Sequence, residues 1–152
     1  MKILISGSSG LVGKALTKSL TNDGHEVVRL VRRTSSTAAE IEWHPNEGNI
    51  DTERLNGMDA VVHLAGESIA SGRWTNEKKR AIHDSRVKGT TILSESLARL
   101  STPPSAFISA SAIGYYGNRG DELLVETSAA ARFFVRAGSS ASGWDPCQAK
   151  TS

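Results

Sequence analysis

Three glycines near the N-terminus are the residues whose types and spacing point most directly to chemistry. Gly7, Gly10 and Gly13 form G-x-x-G-x-x-G inside the stretch MKILISGSSGLVGKALTKSLTNDGHEVVRLVRR. An apolar run, Ile3-Leu4-Ile5, comes before them and an amphipathic stretch follows. The first glycine permits backbone angles that a Cβ forbids. The second lets the backbone approach a pyrophosphate, and the third lets a helix sit tight on the strand. The free N–H groups at the helix start, with the positive end of its dipole, then face the phosphates. The bland alternative is a tight turn that binds nothing. The strand before and the helix after favour phosphate binding.

A second apolar run, Val27 to Val31, completes a β-α-β unit and ends at Arg32-Arg33. An acidic residue near this point would hold a ribose 2′-hydroxyl, whereas an arginine accommodates a 2′-phosphate. Guanidinium groups match phosphate oxygens in pairs. Arg32 and Arg33 therefore point to NADP over NAD. The competing reading is two solvated arginines at a strand end.

The elements that must position these groups are legible by periodicity. The first helix is expected from about Gly10 to Asp23, with Val12, Leu16 and Leu20 facing the sheet. Asn22-Asp23-Gly24 is a stop signal. Thr34 to Glu40 reads as a polar surface loop, and Ile41-Glu42-Trp43 as a short strand. Pro45 to Gly48 reads as a turn and Asp51 to Leu55 as a short helix. Asp59 to Gly66 (DAVVHLAG) reads as a buried strand ending in small residues, which leave room for a cofactor. His63 within it is expected to be packed and hydrogen-bonded rather than catalytic. A long helix runs from Thr75, its N-cap, to about Leu100. Ile82, Gly89, Leu93, Leu97 and Leu100 share one face, while Lys78, Lys79 and Arg80 read as its solvated side. Arg86 lies beside Ser85 and Gly89 and points toward the site. Thr102-Pro103-Pro104 ends the helix, and Ala106 to Ser109 forms another buried strand.

Composition narrows the function. The chain of 152 residues suits one domain with a real core. A net charge of +2 argues for neither nucleic acid nor an acidic membrane surface. Cys147 is the one cysteine, so no internal disulfide can form, in keeping with a reducing compartment. No apolar run approaches the roughly 20 residues needed to cross a bilayer, and no signal-peptide core is present. The expectation is a soluble, cytoplasmic protein, with no metal site, that acts on a small molecule. Its oligomeric state is open.

Three segments in order, GSSGLVG, DAVVHLAG and ISASAIGYYG, resemble the extended short-chain dehydrogenase/reductase superfamily. GESIASGRWT, SRVKGT and the doubled tyrosine narrow the resemblance to its atypical NAD(P)-dependent epimerase/dehydratase-like branch. The resemblance covers about residues 1–128. It implies a Rossmann-like, doubly wound parallel α/β sheet, here of five parallel strands with helices on both faces. It implies that Gly7, Gly10, Leu11, Val12 and Gly13 line the pyrophosphate, and that Arg32 and Arg33 hold the 2′-phosphate. It also implies that Leu64, Ala65 and Gly66 run along the adenosine side and that Arg86 touches NADP. Ser111 matches the hydroxyl that polarises a substrate carbonyl or alcohol; its alternative is an ordinary strand-end serine.

The superfamily's chemistry uses a Tyr-x-x-x-Lys pair, whose lysine lowers the tyrosine pKa. Here Tyr115 is followed four positions on by Arg119, and Tyr116 by Gly120, so the pair is absent. From Ala129 the sequence turns to AAARFFVRAGSSASGWDPCQAKTS, without amphipathic period. The expectation is a cofactor-binding part over 1–128, then a non-family tail over 129–152, as in a truncated or frameshifted member. The resemblance implies NADP-dependent oxidoreduction or epimerisation of a small carbonyl or nucleotide-sugar-like substrate. The alternatives are a non-catalytic NADP-binding sensor or regulatory module, and an inactive truncated product.

Overall fold

The sheet begins with β1, Lys2–Ser6, whose side chains alternate between two apolar layers. Ile3 and Ile5 join Ala60 on one face; Leu4 joins Val28, Leu30, Val61 and others on the opposite face. A strand covered on both faces must read as a continuous apolar run, as this one does. The computed structural model describes residues 1–111 and 115–129, in two units, Met1–Ala110 and Ser111–Ser152. The tail from residue 130 lies outside the described residues.

In the first unit β1 is flanked by β2 (Glu26–Val31) and β5 (Ala60–His63). Outside these lie β3 (Glu40–His44) and β6 (Ala106–Ser109), giving five parallel strands. The sixth, β4 (Asn49–Ile50), pairs antiparallel with β3, in the order β4-β3-β2-β1-β5-β6. The chain winds outward from β1 through β2 and β3, then returns to continue through β5 and β6. The crevice between β1 and β5 is thus a topological switch point, the place where such sheets bind ligands.

Two helices cover the two faces. α1, Leu11–Asn22, lays Leu16 and Leu20 on the Ile3–Ile5 layer. α2, Asn76–Ala98, lays Leu93 and Leu97 on the Leu4–Val28 layer. Its N-cap is Thr75, whose Oγ1 accepts the Lys78 N–H at 3.2 Å. Full burial of Leu4, Leu55 and Leu93 removes side chains from water at about 1.5–3 kcal/mol each. Gly89 brings α2 close: a Cβ there would stand 3.6 Å from Trp43 Cη2 and 3.7 Å from His63.

Several expectations change. Val12 does not face the sheet; it is 64% exposed, because the first turn of α1 projects past the strand ends. Asp51 to Leu55 contracts to a single 3-10 turn, Glu53–Leu55. Asn49 and Ile50 form β4, which turns back on Trp43 and His44 and was not anticipated. Glu40 is not part of a solvated loop: it opens β3 and is 1% exposed. Strand β5 stops at His63, so Leu64, Ala65 and Gly66 run on beyond the sheet.

Candidate cofactor site

The glycine turn fits a dinucleotide because side chains cannot occupy it. Gly7 has φ +71°, in the left-handed region, and a Cβ there would stand 2.7 Å from the Leu64 carbonyl carbon. A Cβ at Gly13 would stand 2.2 Å from the Gly7 carbonyl oxygen. The turn closes with the Gly10 N–H donating to the Gly7 oxygen at 3.0 Å. Gly10 is the N-cap of α1, which has no side-chain cap and no acidic residue in its first turn. The first N–H groups of α1, at Leu11 and Val12 among them, are thus left for an anion.

The floor of the crevice is tied by Ser6. Its Oγ accepts N–H groups from Leu64 at 3.1 Å and Ala65 at 3.2 Å. It also lies 2.6 Å from His63 Nδ1. A hydroxyl has two acceptor positions and one proton. With both acceptors filled, Ser6 donates to Nδ1, which places the imidazole proton on Nε2. Nε2 is buried without a hydrogen-bond partner among the described residues. The ring stands edge-on to Trp43, 6.0 Å between centroids, and near Phe107 at 6.5 Å. Burial pushes its pKa down from 6.5 to about 4, so it is neutral at pH 7. His63 is packed and hydrogen-bonded, as expected from its apolar neighbours.

Arg86 reaches the other side of the same crevice from α2. Its Nη1 donates to the Glu67 carbonyl at 3.2 Å and the Ile82 carbonyl at 3.0 Å. The guanidinium lies over Gly66, where a Cβ would come within 3.3 Å of Arg86 Cζ. Ser85 Oγ accepts the Glu67 N–H at 2.9 Å. Lys78 does not belong to the solvated side. Its Nζ donates to Glu67 Oε1 at 2.6 Å and Ser71 Oγ at 2.8 Å, with its side chain only 16% exposed. Lys78 holds the Glu67 carboxyl below its ordinary pKa, helped by the charges of Arg32 and Arg86.

The two arginines after β2 differ. Arg32 is exposed and pairs with no carboxylate among the described residues. Arg33 Nη2 donates to Glu40 Oε1 at 2.6 Å, and Nη1 to the Thr34 carbonyl at 3.1 Å. Arg33 lowers the Glu40 pKa chiefly through that hydrogen bond. The sequence reads Glu40 as part of a surface loop and Lys78 as solvated, because the groups that hold them lie in other elements.

Gly7, Leu64, Ala65, Gly66 and Arg86 are thus contiguous, with the start of α1 above Gly7. Ser111 belongs to the second unit. Within that unit Tyr115 and Tyr116 form an edge-on pair with centroids 4.9 Å apart. Arg119 donates twice to Glu122, both at 2.7 Å, and once to the Ala129 carbonyl at 2.9 Å. Among the described residues no cluster of His, Cys, Asp and Glu is placed to hold a metal, and no helix is long and apolar enough to cross a membrane.

The comparisons agree with this geometry. The model of the NAD dependent epimerase/dehydratase family matches residues 3–136. An epimerase family protein of Mycobacterium leprae is 40% identical over 133 residues, 88% of this chain and 43% of its own length. The crystal structure of human epimerase family protein SDR39U1 (isoform 2) with NADPH superposes with a TM-score of 0.77 at 27% identity. That match covers 93% of this chain and 48% of the human one. A nucleoside-diphosphate sugar epimerase from Corynebacterium glutamicum gives a TM-score of 0.74 at 40% identity. It is matched over 93% of this chain and 30% of its own. This chain therefore spans less than half the length of these relatives. A nicotinamide dinucleotide is the cofactor that family and fold support. The chain belongs to the NAD dependent epimerase/dehydratase family.

Proposed function

We propose that this chain binds NADP, in preference to NAD, at the β1–β5 crevice. We propose further that it forms the cofactor-holding part of an oxidoreductase or epimerase acting on a small carbonyl or nucleotide-sugar-like substrate. The observation that carries the reading is the glycine turn, packed on the backbone of Leu64 and Ala65 and leading into an uncapped helix start. A Cβ at Gly13 would overlap the Gly7 oxygen, so the backbone itself forms the cradle.

The roles follow from chemistry. The N–H groups of Leu11 and Val12, over Gly7, Gly10 and Gly13, bind the pyrophosphate. Leu64, Ala65 and Gly66 flank the adenosine and ribose, and Arg86 braces that wall. Arg32 and Arg33 meet the 2′-phosphate, where NAD-preferring sites carry an acid. The bound dinucleotide supplies a hydride donor and acceptor. Ser111 polarises the substrate oxygen by a hydrogen bond. The NADPH found with the human relative is consistent with this preference, as the Corynebacterium relative's name is with the substrate class.

One observation favours a second reading, a non-catalytic NADP-binding module. The Tyr-x-x-x-Lys pair is absent, and Arg119, four positions after Tyr115, is engaged by Glu122. Ligand-dependent unfolding tests the binding step. At a hundredfold excess over its dissociation constant a cofactor raises stability by about 2.7 kcal/mol. A clear shift with NADPH and a smaller one with NADH is expected; equal shifts would remove the preference. Oxidation of NADPH with a panel of carbonyl compounds then separates enzyme from module.

A further inference from the structure

Glu40 is a carboxylate in a place that should exclude one. It is buried at the start of β3, and an unsatisfied charge there would be costly. Both oxygens are used. Oε1 accepts from Arg29 Nη2 at 2.8 Å and from Arg33 Nη2 at 2.6 Å. Oε2 accepts from Ser36 Oγ at 3.2 Å and Ser36 N–H at 3.4 Å. The backbone of the same residue closes the loop. The Glu40 carbonyl accepts from Ser35 Oγ at 2.8 Å, and its N–H donates to the Thr37 carbonyl at 3.2 Å.

The loop so held, residues 34–39, follows the arginines assigned to the 2′-phosphate. We propose that Glu40 is the positioning residue that sets cofactor preference: it fixes Arg33 and this loop so that the rim reads a 2′-phosphate. The proposal rests on the NADP reading above. Arg33 has five N–H donors. Nη2 spends one on Glu40, and Nη1 spends its two on the Thr34 carbonyl and, at 3.4 Å, Ser36 Oγ. The Nε–H and one Nη2 hydrogen remain, on a side chain 58% exposed. A guanidinium held on one edge and open elsewhere meets a phosphate with little further loss of freedom. The same contacts prevent Glu40 from acting as the acid that favours NAD. An acid that favours NAD offers a free carboxylate to the ribose diol; Glu40, opening β3 beside Arg29, has both oxygens engaged.

Dissociation constants of NADPH and NADH measured by titration calorimetry on the full chain test this. Wild type binds NADPH more tightly. Glu40→Gln keeps the size but loosens Arg33, and the NADPH-to-NADH preference falls about tenfold, as expected for a lost charged hydrogen bond, while NADH affinity holds. In an Arg33→Ala background Glu40→Gln changes the preference no further, because Glu40 acts through Arg33. Retention of the full preference in Glu40→Gln overturns the role of Glu40 and leaves the NADP reading standing. Equal or tighter NADH binding by wild type overturns the NADP reading and this proposal with it. Should Glu40→Gln fail to fold, Ser36→Ala in the exposed loop removes one contact to Oε2. A reduced preference there supports the proposal, and an unchanged one overturns it.

Discussion

The glycine turn after β1 and the arginine cluster after β2 are built on different physics. The turn is shaped by exclusion. Gly7 needs a positive φ, and Gly13 has no room for a Cβ. Each requirement is local, within a few residues of chain. The rim is shaped by charge. Arg29, Arg33 and Glu40 come from β2, the following loop and β3, and meet only when the strands pair. A steric rule can be read from spacing; a buried ion network depends on which strand lies beside which.

Substitutions separate the two regions. Gly13→Ala should have the largest effect, since α1 must move off β1. We expect about 3 kcal/mol of lost stability and loss of NADPH and NADH binding alike, measured by denaturant unfolding and titration. Damage at the rim should instead be selective. Arg32→Ala and Arg33→Ala should each weaken NADPH by about tenfold and leave NADH nearly unchanged. If a rim variant lost both cofactors equally, the division between the regions would fail.

The floor beneath the turn has its own signature in pH. His63 is neutral when folded, with a pKa near 4 against 6.5 in an unfolded chain. As pH falls from 6.5 toward 4 the unfolded chain takes up a proton that the folded one refuses. About 3 kcal/mol should be lost over that interval. His63→Phe should flatten the slope of stability between pH 6.5 and 5. An unchanged slope there would mean that the buried imidazole is not responsible. Glu40 acts lower: its carboxyl is held below 4.5, so its contribution is complete above that pH and is lost as pH falls through the lowered value. Measurement above pH 5 keeps the two apart.

The smallest effects are controls. Thr75→Ala should cost about 1 kcal/mol without altering cofactor preference, since its Oγ1 serves only the start of α2 among the described residues. Gly89→Ala should stay within about 1 kcal/mol of wild type, because its added Cβ meets Trp43 and His63 at ordinary contact distance. A large loss there would show that close packing of glycine on the sheet is not peculiar to the turn.

Much of this was legible beforehand, and the exceptions share a cause. The strand runs Ile3-Leu4-Ile5 and Val27 to Val31, the helix over Leu16 and Leu20 and the long helix capped by Thr75 announce themselves by local period and capping. His63 was placed correctly because its neighbours in sequence are apolar. β4 escaped because two residues carry no period; Trp43 and His44 across the hairpin define it. Val12 has the right spacing for the core, but spacing does not say where the strands end. Lys78 sits in a run of cations that looks solvated, and only the loop bearing Glu67 and Ser71 gives it partners.

The sequence by itself determined the five parallel strands, the two long helices, the glycine turn and the family. These depend on backbone sterics and on apolar periodicity, which act over a few residues. Tertiary structure alone decided which charges are buried and which partners each polar group takes. It placed Glu40 under Arg33, laid Arg86 over Gly66 and set the His63 proton through Ser6. A charge or a hydrogen bond takes its meaning from its partner, and that partner is set by which strands, loops and helices pack together, as Ser6 and His63 meet only because β1 and β5 pair.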